Sequence, residues 1–146
     1  MLIRDVRAAI ASHMKLVSHQ SENPLYQYGK GEDMVALVMS FARCWRKQVA
    51  FLIQYSVGPF NDRIHWLRYE DLVSDAEKEI VSICKFLGVD YHSDMIETDN
   101  FISPDGSKWL PNSNHYGVSR SGIYTETVEK WKTTLPPPII ELIEFI

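Results

Sequence analysis

At 146 residues, 45% of them hydrophobic, the chain has the length and apolar content of one core-forming domain. Its 15 Lys and Arg against 19 Asp and Glu leave a net charge of −4. That excludes a generally basic surface, so nucleic acid is not an expected partner and any phosphate binding must come from locally placed cations. No apolar run reaches transmembrane length and no basic segment precedes an apolar one at the start. A soluble, cytoplasmic setting is therefore the default expectation. Cys44 and Cys84 show no CxxC spacing and fall on apolar helix faces, which predicts reduced core thiols. The five histidines show no ligand spacing, so no metal is expected.

In chain order, the apolar run Met1 to Ile3 gives way to Arg4-Asp5 and then to an amphipathic pattern at Val6, Ala9, Ile10, Leu16 and Val17. This predicts a buried strand feeding a helix capped by Asp5 and ending near Ser18. Gln20 to Gly31 reads as a loop, and its Gly29-Lys30-Gly31 lacks both the preceding strand and the GxxxxGK[ST] layout of a phosphate loop. Met34, Leu37, Val38, Phe41, Trp45, Val49 and Leu52 space out a long helix from Glu32 to about Tyr55, ended by Gly58-Pro59. Ile64 to Tyr69 suits a strand. Ser74-Asp-Ala-Glu77 fits a capping box for a helix with Ile80, Ile83, Cys84 and Leu87 on one face and Gly88 after its end. Periodicity fades from Asp90 to Gly122 around two turn-rich stretches. A helix is expected from Thr125 to about Leu135 and a last one after the triple proline 136–138.

The corner at Arg4 has the makings of an anion site. Ligands of open α/β sheets collect at strand carboxyl ends, and a helix start offers amide donors beside a planar guanidinium. Ser12 lies two turns into the helix, but helical side chains lean toward the N-terminus, so its hydroxyl can point back toward Arg4. Taken singly, each feature has a plainer reading. Arg4-Asp5 reads as surface charge where a strand leaves the core, Ser12 as a neutral helix residue, and Tyr69 as a half-buried strand aromatic. Glu70-Asp71 precede a helix and suit its positive dipole end.

Three stretches together resemble the C-terminal half of the sulfotransferase family: Arg4-Asp-Val-Arg-Ala-Ala-Ile-Ala-Ser12; Leu67-Arg-Tyr-Glu-Asp-Leu72 with Phe86-Leu-Gly88; and Asn112 through Gly117-Val-Ser-Arg-Ser-Gly-Ile123 with Glu129-Lys-Trp-Lys132. Val6 stands where that family often has Pro. The resemblance implies an α/β, partial P-loop-like three-layer fold, predominantly helical with a small remnant of a parallel sheet. It implies one partial domain over residues 1–146, with the N-terminal phosphosulfate-binding loop and the acceptor-activating base absent. It also implies 3′-phosphoadenosine 5′-phosphosulfate as co-substrate, with Arg4 and Ser12 on the 3′-phosphate, Tyr69 near the adenine and Arg120 as a second phosphate ligand. The implied acceptor is a hydroxyl or an amine, and no catalytic residue falls within the chain, which is then an incomplete enzyme, inactive alone. The alternatives are a non-catalytic nucleotide-binding remnant, a subunit that completes a partner's sheet, and a mainly helical interaction protein in which the matches are coincidental.

Overall fold

The computed structural model describes residues 1–19, 34–109 and 122–146. The expected loop at 20–31 and the candidate Arg120 lie outside the described residues. Among the described residues, strand content is confined to two segments of two residues, β1 (Leu2–Ile3) and β2 (Leu67–Arg68), a small remnant of sheet among helices. The helices are α1 (Val6–His19), α2 (Met34–Ser56), α3 (Tyr69–Ser74), α4 (Ala76–Leu87), α5 (Trp131–Thr134) and α6 (Pro137–Phe145). None of them is long and apolar enough to cross a membrane. The chain divides into two compact units, one of residues 1–66 with 126–146 and one of residues 67–125.

The first unit packs α1, α2 and α6 around Ile10, Ala11, Val38, Ala42, Leu135, Ile139 and Ile143. Ile10 and Val38 are the most deeply buried, each 1% exposed. α2 keeps the expected three-and-four spacing, burying Val38, Ala42 and Leu52. Among the described side chains of α1 the buried ones are Ala8, the expected Ile10 and Ala11, whereas the expected Ala9 is only half-buried. Small residues there let the neighbouring helices approach closely. Pro137 opens α6 at its first turn, where a missing N–H costs nothing. The expected helix from Thr125 contracts to Trp131–Thr134. Thr127 turns its carbonyl to the Arg4 guanidinium, 3.4 Å away, instead of to a helical amide, and the Lys132 and Thr133 amides make turn-type bonds to Glu129 and Lys130.

In the second unit the expected strand Ile64 to Tyr69 shortens to Leu67–Arg68, because Tyr69 already begins α3 with Glu70 and Asp71 in its first turn. Those carboxylates therefore face a positive helix end, as expected of them. The same early start overturns the Ser74 capping box: Ser74 closes α3, and Asp75 becomes the cap of α4, its carboxylate accepting from the Lys78 amide at 3.2 Å. Cys84 is buried, with Met95 sulfur 3.6 Å from its thiol, but Leu87 is 62% exposed rather than inward. Between Ile102 and Lys108 the chain makes a small antiparallel turn through Ser103–Gly106, where the Ser103 amide donates to Ser107 at 2.8 Å.

Gly88 ends α4 in the left-handed region at φ 69°, and a Cβ there would meet no atom within 4 Å. The obstacle to a side chain is thus conformational alone. Gly88→Ala is expected to destabilise the chain by about 1–2 kcal/mol in urea unfolding, with an unchanged m-value.

Candidate active site: the Arg4 corner

The corner follows from local chemistry. Asp5 caps α1, its carboxylate accepting from the Arg7 amide at 2.8 Å. The Arg7 guanidinium grips the same carboxylate at 2.6 and 3.1 Å and reaches Glu144 of α6 at 2.8 Å, while lying 4.0 Å over the Trp131 ring. Burial alone would push the Asp5 carboxyl up, but the hydrogen bonds and charge of Arg7 outweigh it and hold Asp5 below the usual carboxylate range. A depressed folded pKa contributes stability that is complete above the unfolded value, near 3.9, and is lost as pH falls through the folded value. Asp5→Asn keeps the cap and removes the charge. We expect it to flatten the decline of stability with acid below about pH 4 in pH-dependent urea unfolding.

Arg4 lies between β1 and α1, half-buried, with the Trp45 indole N–H donating to its carbonyl at 2.9 Å. This bond fixes the backbone of the corner from α2. Trp45 was legible only as an apolar position in the helical pattern, because a contact 41 residues apart leaves no local signal. A cavity of about 270 Å³ opens beside Arg4, lined by β1, Ala9 and the α2 residues Phe41, Cys44, Trp45, Gln48 and Val49. Cys44 is exposed, contrary to the core thiol expected of it, because it sits on the flank of α2 away from the buried Val38–Ala42 face.

Ser12 is exposed on α1, one turn beyond Ala9, which lines the Arg4 cavity. The strand-to-helix element thus carries Arg4 and Ser12 together. The amide donors of the helix start are a different matter. Asp5 takes the Arg7 amide and also draws on that of Ala8, so an anion here would rely on side chains more than on the open helix end. What the corner offers an anion is the Arg4 guanidinium, with an exposed hydroxyl at Ser12 on the same helix and a first turn of α1 that holds no acidic residue. Tyr69 belongs to the other unit, half-buried at the first position of α3. Among the described residues no three His, Cys, Asp or Glu side chains gather in a group able to hold a metal.

Comparison with known proteins bears on this element directly. The model of the sulfotransferase family matches residues 1–93, which include the Arg4 corner, α2 and the Tyr69 segment. Among solved structures, the sulfotransferase domain from the curacin biosynthetic pathway superposes with a TM-score of 0.60 at 21% identity, covering 99% of this chain and 50% of that one. The chain therefore spans about half the length of that structure and shares its fold. No curated protein sequence matches. With the family match extending over more than half of its residues, this chain belongs to the sulfotransferase family.

Proposed function

We propose that the chain supplies the nucleotide-holding side of a sulfotransferase site whose donor is 3′-phosphoadenosine 5′-phosphosulfate. The observation that carries this reading is the Arg4 corner within the family-matched segment: an arginine leaving β1, with Ser12 two turns along the helix it starts. Arg4 and Ser12 bind the 3′-phosphate, Arg4 through charge-assisted N–H donors and Ser12 through its hydroxyl. Tyr69 borders the adenine, and Arg120 is a second phosphate ligand. Bound there, the donor supplies an activated sulfuryl group for a hydroxyl or amine acceptor. No metal is assigned a part.

Residues 1–146 act in this reading as one partial domain of the cytoplasm. The phosphosulfate loop and the base that activates the acceptor come from polypeptide other than these residues. Purified 1–146 is expected to bind adenosine 3′,5′-bisphosphate saturably in a calorimetric titration and to sulfate nothing by itself. A flat titration of the folded chain overturns the binding role, and turnover with any acceptor overturns the division of labour.

A second reading, a subunit that completes the sheet of another polypeptide, is favoured by Met1 and Leu2, 52% and 51% exposed beside the cavity. It predicts the flat titration together with a stable complex in sedimentation.

A further inference from the structure

From Met34 to Phe60 the chain carries Arg43, Arg46 and Lys47 and no acidic residue, in a protein whose acids outnumber its Lys and Arg. Arg46 donates to the carbonyl of Ile146, which leaves Arg43 and Lys47 as the cations of the outward face of α2, both exposed. Arg43, Lys47, Phe51 and Tyr55 follow one another at intervals of four, so they form a single ridge along the helix. The ridge is cationic at one end and aromatic at the other. Phe51 is 57% exposed with its ring 4.2 Å from Tyr55, and Tyr55 stacks in turn on Phe60 at 6.3 Å.

Around the same end of α2, Ile53 is 57%, Val57 80% and Phe60 45% exposed. These residues do not serve the core, which α2 enters through Val38, Ala42 and Leu52. Scattered apolar residues on a surface need no explanation, but a cluster at a helix tip beside a cationic ridge does. The nearest acid past the tip, Asp62, is followed at once by Arg63 in the same exposed turn.

We infer that the outward ridge and C-terminal tip of α2 dock on an anionic lipid bilayer surface. Phe51 and Ile53 flank the helix on opposite sides and Val57 caps it, so the apolar residues form a convex tip. A convex tip suits a fluid apolar medium, whereas a protein partner would have to offer one socket wrapped round the helix end. At about 1.5 Å per residue, Lys47 lies roughly 6 Å behind Phe51 along the ridge, which fits an interfacial depth of about 5–10 Å. With Phe51 and Phe60 at the acyl boundary, Lys47 meets the headgroups, and Arg43, one turn further back, adds longer-range attraction to the anionic surface. A broad groove lined by Ser40, Arg43, Cys44 and Lys47 gives phosphate or carboxylate groups room beside those cations. The docking surface is independent of the nucleotide role proposed above.

The test is co-sedimentation of the full chain with phosphatidylcholine vesicles, with and without phosphatidylserine. The chain is expected to pellet with the anionic vesicles, far less with phosphatidylcholine alone, and progressively less as salt is raised. Arg43→Ala with Lys47→Ala should weaken the partition about thirtyfold, or about fivefold for each cation removed. Val57→Ser with Phe60→Ser should weaken it at constant charge, and Val57→Trp should show a blue-shifted emission on binding that the unsubstituted chain lacks. Circular dichroism of each variant establishes that it is folded. Absence of pelleting, or pelleting indifferent to both double variants, overturns the proposal. Capture by soluble polyglutamate with no partition to anionic vesicles also overturns it, in favour of an acidic protein partner.

Discussion

Arg4→Ala is expected to weaken the proposed binding of adenosine 3′,5′-bisphosphate by about ten- to a hundredfold, through loss of charge-assisted hydrogen bonds of roughly 1.5–3 kcal/mol. Calorimetric titration of the chain and its variant measures this directly. Because Arg4 is half-buried and donates to the Thr127 carbonyl, its removal also disturbs the corner, so the comparison needs a partner variant that leaves the scaffold alone. Ser12→Ala serves that purpose. Ser12 is exposed, and alanine is the better helix former, so the variant should be as stable as the parent or slightly more so. A loss of about tenfold or more in nucleotide affinity without loss of stability is expected for a hydroxyl bond to a charged phosphate, roughly 1.5–3 kcal/mol. Binding that survives Arg4→Ala unchanged removes the phosphate from this corner.

The largest stability effect is expected at Ile10. It is 1% exposed and packs among Ala11, Val38, Ala42, Leu135, Ile139 and Ile143, so Ile10→Ala opens a cavity lined by three helices. The expected cost is about 2–5 kcal/mol, a large share of the stability of a domain this size. Urea unfolding followed by tryptophan fluorescence reads it through Trp45 and Trp131, which lie in the same unit. Val38→Ala should act in the same direction with a smaller loss, because it deletes fewer methyl groups. A change at Ile10 of less than about 1 kcal/mol would show that the three helices close over the deleted side chain.

The contrast between what could be read from the sequence and what could not has a physical basis. Periodic helices were legible: α2 and α6 follow from apolar spacing and from proline at a first turn, signals carried by residues within one or two turns of each other. The left-handed Gly88 and the Asp5 cap belong to the same local class. The strand from Ile64 was legible only in type, since strand length depends on pairing and not on β-branched content, and Tyr69 turned out to open a helix. The contraction of the helix from Thr125 had no local signal either, because the Thr127 carbonyl accepts from a side chain 123 residues earlier. At the corner itself, the strand-to-helix switch at Arg4-Asp5 was legible. The Trp45 bond that holds the Arg4 backbone, and the Arg7 bridge from Asp5 to Glu144, were not.

That bridge and the core behind it bear on the order in which the molecule is assembled. The first unit joins residues 1–66 to residues 126–146, and Leu135, Ile139 and Ile143 complete a cluster begun by Ile10 and Val38. During synthesis α1 and α2 are made long before the helix that closes their shared apolar face. The residues 67–125 between them pair α3 with its sequence neighbour α4 and need no such wait. Contacts between distant parts of the chain form slowly because their loop-closure entropy precedes any gain in packing. A nascent chain thus carries an open α1–α2 face until Leu135, Ile139 and Ile143 have left the ribosome, and an early stop before Leu135 would leave that face permanently without its cover.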